Sequence, residues 1–179
     1  MIHITDQMLQ KGPHTRSGIK LHDVRGLVLH WVGNAGTSAP QNAAFFDSIR
    51  DTGPRYASYH YIVDVDGAIY QLIPHTEIAF HAGPSGKTRE ATKELLGGLP
   101  NWRTLGIAYC HKSWAGDIDG KAYGALLALC SKLCHMYDIP AERVLRHHDC
   151  TGKVCPRWFV DHPSEWADFK RRLEAAMYV

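Results

Sequence analysis

Apolar and polar positions fall in blocks along this chain, and the blocks predict a sheet with helices packed on it. Val24 to Val32 is a short apolar run that stops at Gly33-Asn34, a turn signal, and reads as a buried strand. Ser38 or Thr37 can cap a helix that begins near Pro40, has Ala43, Ala44, Phe45, Phe46 and Ile49 as its apolar side, and stops at Thr52-Gly53-Pro54. Ser58 to Asp64 and Ala68 to Ile73 flank Val65-Asp66-Gly67 and predict a hairpin. Leu105 to Cys110 is a further buried strand. The clearest helical period runs from Asp119 to Tyr137, through Ala122, Leu126, Leu129, Cys130 and Leu133, and ends at Asp138-Ile139-Pro140. Val144-Leu145-Arg146 predicts a short strand, and Pro163 to Ala176 a last amphipathic helix with Trp166, Phe169 and Leu173 inward.

Two stretches lack a period. Residues 1–23, with Gly12-Pro13, read as an irregular lead-in packed on a domain that spans 24–179. Residues 74–103 are loop-rich and contain His81-Ala82-Gly83 and Gly97-Gly98; so long a loop in a compact domain is usually functional. The fold class expected is α/β: a single domain with a central mixed β-sheet of about five or six strands flanked by helices.

Composition narrows the partners. A chain of 179 residues suits one well-buried domain, and 45% hydrophobic with 21% charged residues gives no sign of disorder. Lys and Arg total 20 against 18 Asp and Glu, and no block of like charge occurs, so no nucleic-acid partner is indicated. No stretch reaches the ~20 apolar residues of a membrane span. Met1 to Gln7 has neither a basic nor an apolar leader region, so synthesis in the cytoplasm without an ordinary signal peptide is expected. The five cysteines are odd in number and scattered, which argues for a reducing compartment or a metal rather than a disulfide framework.

The chemistry concentrates in His147-His148-Asp149-Cys150-Thr151-Gly152-Lys153-Val154-Cys155-Pro156. An imidazole of the pair and the Cys155 thiolate can loop back onto one ion, and zinc suits nitrogen with sulfur. Alternatively the His pair is a surface feature and Cys155 a small buried hydrophobe. His30 ends a buried strand, where α/β folds display functional groups; read alone, it could equally be a satisfied core histidine. Two His and one Cys would leave a fourth tetrahedral position open, the catalytic arrangement. Lys153 can point an ammonium at a developing oxyanion, or be a solvated loop lysine. Tyr59 can hydrogen-bond a substrate, or be an ordinary strand tyrosine. Cys130 and Cys134 read as core.

Several elements stand in one order: Leu27-Val28-Leu29-His30, Ala57-Ser58-Tyr59-His60-Tyr61-Ile62-Val63 with Asp66-Gly67, Phe80-His81-Ala82-Gly83, Thr104-Leu105-Gly106-Ile107, and His147-His148 through Lys153-Val154-Cys155-Pro156. In that order they resemble the zinc-dependent N-acetylmuramoyl-L-alanine amidases (type-2 amidases), which include phage endolysins, bacterial wall amidases and peptidoglycan-recognition proteins. The resemblance implies one Zn2+ per chain in a surface groove, held by His30, His147 and Cys155; it selects the first histidine of the pair, which the spacing leaves open. It implies catalytic roles for Lys153 and Tyr59 and a substrate-binding place for His81. It further implies cleavage of the amide between N-acetylmuramic acid and L-alanine of the stem peptide. The expected actor is a monomeric phage or prophage endolysin that reaches the cell wall after holin-type release. One departure is Ala108, where many bacterial members carry a general-base glutamate just after the Gly-Ile strand motif. Two rivals are a non-catalytic peptidoglycan-binding module and a metal-free cysteine hydrolase using Cys155 or Cys150.

Overall fold

Six strands form one sheet in the order β1-β4-β3-β5-β2-β6. They are β1 (Ile4–Asp6), β2 (Gly26–Trp31), β3 (Tyr61–Val63), β4 (Ile69–Gln71), β5 (Thr104–Tyr109) and β6 (Val144–Arg146). The computed structural model describes residues 2–83 and 85–177; the last two positions of the expected 24–179 domain lie outside it. All neighbours run parallel except the β3–β4 hairpin, so the sheet is mixed, as expected.

The two longest strands, β2 and β5, lie side by side in the middle of the sheet and are buried on both faces, which is why they read as unbroken apolar runs. Alternate residues serve opposite faces. Leu27, Leu29, Leu105, Ile107 and Tyr109 pack toward α3 (Gly120–Tyr137) and α6 (Pro163–Met177), with Leu126, Leu129, Phe169 and Leu173 opposite them. On the other face, Ala108 and Ile62 meet Ala39, Ala43 and Phe46 of α1 (Ala39–Ser48). There Val28 meets Leu96 of α2 (Glu90–Leu96) and Cys150 of α4 (His147–Thr151). A short α5 (Arg157–Asp161) buries Phe159.

Three expectations change. The lead-in packs on the domain but is not wholly irregular: β1 extends the sheet beside β4, and Leu9 is buried. A three-residue strand is too short to show alternation. The 74–103 stretch contains α2, fewer than two turns long, with no side-chain cap at Arg89 and a left-handed Gly97 as its stop. Such a helix is held by packing rather than propensity. The His147 cluster is itself a one-turn helix rather than plain loop.

Candidate metal centre

His30 lies near the C-terminal end of β2, on the face opposite Leu29, and is 1% exposed. Its register partner on β5 is Ala108, fully buried, so a methyl group stands beside the imidazole. β6 runs parallel to β2 and delivers His147 at the first turn of α4. The Asp149 carboxylate secures that turn: it accepts from the Arg146 backbone N–H at 2.7 Å and from the Arg146 guanidinium. After α4 the chain reverses at Gly152, whose φ of 82° is a conformation L side chains rarely adopt. The His148 N–H then donates to the Cys155 carbonyl at 2.8 Å and closes the loop. This brings the thiol back beside His147, while His148 stays partly exposed with Nδ1 3.1 Å from the Lys153 carbonyl.

One ligand atom from each of His30, His147 and Cys155 lies within 4.8 Å of the others, and all three residues are buried. Two observations show that this set fits a zinc ion. Bonds of about 2.05 Å to nitrogen and 2.3 Å to sulfur at a tetrahedral angle put the donors ~3.6 Å apart; His30 Nδ1 and Cys155 Sγ are 3.6 Å apart. In addition, His147 Nδ1 is buried without a hydrogen-bond partner, a cost that a metal bond would remove.

Burial sets the protonation. It pushes His30 well below the usual imidazole range and His147 down to about 4, with Lys153 acting in the same direction on both. Neutral imidazoles are the form that ligates. Burial also pushes the Cys155 thiol up to about 11, opposed by the Trp31 backbone and by Lys153. Tyr59 is held un-ionised by burial and then by Cys155.

His147 and Cys155 of the cluster line a groove of about 560 Å³ that Tyr59, Lys153, Asn42 and Phe46 also line. The Tyr59 ring centroid is 5.0 Å from that of His30, and Lys153 is exposed. His81 borders the same groove but is only 5% exposed, with Nδ1 3.1 Å from His30 Nε2 and Nε2 3.4 Å from the Thr104 hydroxyl. All six residues singled out in the sequence therefore meet in one place. The sequence did not suggest Thr104, Gly106 or Asn101 beside His81. Gly106 did carry a signal, because a glycine inside a buried strand marks a close approach. A Cβ there would lie 2.5 Å from His81 Cγ.

The family described as N-acetylmuramoyl-L-alanine amidase matches residues 20–158. A probable N-acetylmuramoyl-L-alanine amidase of Bacillus licheniformis is 29% identical over 177 residues, which cover 99% of this chain and 49% of that protein. The amidase BlyA of Bacillus subtilis (strain 168) is 30% identical, over 97% of this chain and 47% of its own length. The chain thus spans about half the length of the curated relatives it matches. Among solved structures, a mutant endolysin from Bacillus subtilis is 25% identical with a TM-score of 0.72, covering 97% of this chain and 99% of that one. PlyL, at 22% identity and a TM-score of 0.76 over 97% of this chain and 98% of its own, shares the fold. With the family match spanning most of its sequence and its fold shared with an endolysin, the chain belongs to the N-acetylmuramoyl-L-alanine amidase family.

Proposed function

We propose that this chain is a zinc-dependent peptidoglycan hydrolase that cuts the amide between N-acetylmuramic acid and L-alanine of the stem peptide. In this role residues 24–179 act as the catalytic domain, and the protein works as a phage or prophage endolysin that reaches the wall by holin-type release. One observation carries the proposal: the convergence of His30, His147 and Cys155 donors within 4.8 Å at an open groove. The relatives' printed names, amidase and endolysin, support the substrate class.

His30, His147 and Cys155 would hold the zinc ion, which when bound would supply Lewis acidity to the amide and lower the pKa of the attacking water. The chain's own groups do the rest. His30 and His147 offer neutral imidazoles, and Cys155 a sulfur that loses its proton on binding. Lys153 presents an ammonium to the amide oxygen as that oxygen gains charge in the tetrahedral state. Ala108 has no proton to move. Tyr59, un-ionised in the groove, would orient the substrate and relay the proton that the attacking water loses to the departing alanine nitrogen, taking one proton as it gives one. Asn42 and Phe46 of α1 also line the groove.

Elemental analysis should give one zinc per chain. Chelation should abolish wall digestion, and added zinc should restore it. Mass spectrometry of the digest should find water added across the lactyl–alanine amide, with free stem peptide released. Cleavage that survives full chelation, or a cut at another bond, would refute the proposal. The 3.6 Å contact between Cys155 and His30 would also suit a cysteine nucleophile. In that case an alkylating reagent would inactivate the metal-loaded protein at once, whereas a zinc-held sulfur resists alkylation until the metal is stripped.

A further inference from the structure

His81 has its two ring nitrogens committed to protein partners, and those partners fix where each hydrogen lies. We infer that His81 and Thr104 are positioning residues that hold His30 in one tautomer, with its Nδ1 bare toward the metal. The inference rests on the zinc site proposed above and goes beyond it.

The chain of hydrogens starts at Pro100, whose carbonyl can only accept. The Thr104 hydroxyl gives its one hydrogen to that carbonyl at 2.7 Å. Its oxygen can therefore only accept from the side facing His81. His81 Nε2, 3.4 Å from that oxygen, carries the ring's N–H; the contact is long but has only one possible direction. A neutral imidazole has a single N–H, so His81 Nδ1 presents a lone pair. That lone pair lies 3.1 Å from His30 Nε2, which must then donate. The one hydrogen of His30 is thereby placed on Nε2, and Nδ1 is left free 3.6 Å from Cys155 Sγ.

In the opposite arrangement His81 would donate from Nδ1. Its Nε2 lone pair would face an oxygen that has no hydrogen left to give. His30 would carry its hydrogen on Nδ1, aimed at the sulfur, and would have to shed it before ligating. The surroundings seat the ring for the first arrangement. The backbone N–H groups of His81 and Ala82 donate to Asn101 Oδ1 at 3.2 and 2.8 Å. Gly106 leaves the space that a Cβ would fill. The neighbouring His60 is fixed in its turn, accepting from the Gly106 N–H at Nδ1 and donating from Nε2 to the Glu77 carbonyl. A histidine that orders a metal-ligating histidine is the outer-shell arrangement that tunes metal affinity.

Long-range 15N–1H spectra of the metal-free wild-type protein read imidazole tautomers directly. Both His30 and His81 should carry their hydrogen on Nε2. Zinc affinity, measured by competition with a chromophoric chelator, should fall about 10- to 100-fold in His81→Leu. His81→Asn, whose side-chain oxygen can accept from His30 Nε2, should recover part of that loss. Thr104→Val should weaken binding in the same direction by a smaller factor. A hydrogen on His30 Nδ1 in the wild type, or a folded His81→Leu that binds zinc as tightly as wild type, would overturn the inference. Wild-type protein that takes up no zinc would instead overturn the metal assignment itself, a result the tautomer spectrum does not depend on.

Discussion

The six side chains at the groove differ in how much of their work a single residue type announces. Histidine and cysteine at a strand end and in a tight reversal are the donor types zinc takes, so His30, His147 and Cys155 were visible as candidates before any geometry. The spacing did not choose between His147 and His148. The fold separates them: one ring is buried among the donors, and the other is partly exposed beside the Lys153 carbonyl. The partners of His81 were invisible because they depend on which nitrogen faces which oxygen across β5. For Lys153, the placement gives a kinetic expectation. Lys153→Ala should lower kcat about 10²- to 10³-fold, the usual cost of one oxyanion donor, with little change in KM. A rise in KM at unchanged kcat would show that the ammonium binds the ground state only.

At the scale of elements, length decided what could be read. The long helix α3 declares itself by its period and the two longest strands by their apolar runs, while the three-residue strands of the β3–β4 hairpin were legible from the Asp66-Gly67 turn between them. The β1 strand and helices α2, α4 and α5 are three to seven residues long, too few for a period, and tertiary contacts settle their conformation. Helix α1 shows how local chemistry fixes an element that walls the groove. Ser38 Oγ accepts from the Gln41 N–H at 3.3 Å, and Gln41 Oε1 accepts from the Ser38 N–H at 2.9 Å, a reciprocal cap. Ser38→Ala should cost about 1 kcal/mol, read as a lower urea midpoint at unchanged slope. An unchanged midpoint would mean that burial of Ala39, Ala43 and Phe46 alone holds the helix.

For the whole molecule, the density of buried imidazoles makes stability a function of pH. His60 is fully buried and pushed down to about 4 by burial, against an ordinary value of 6.5. As pH falls, the unfolded chain takes up its proton first. Stability from this group is therefore complete above about pH 6.5 and is lost progressively toward pH 4. At about 1.4 kcal/mol per pH unit, His60 alone accounts for about 3 kcal/mol. Burial shifts His30, His81 and His147 in the same direction. Urea unfolding of the metal-free protein at pH 7.5 and pH 4.5 should show a clear loss in acid, and equal stability at both would contradict neutral burial. A last consequence follows from the distance along the chain between the donors. His30 and Cys155 stand 125 positions apart, on a strand and in a loop that folding must bring together. During synthesis on the ribosome, no intermediate that stops short of Cys155 can gather the three donors. The donor set must then form all at once, never by degrees as the protein emerges.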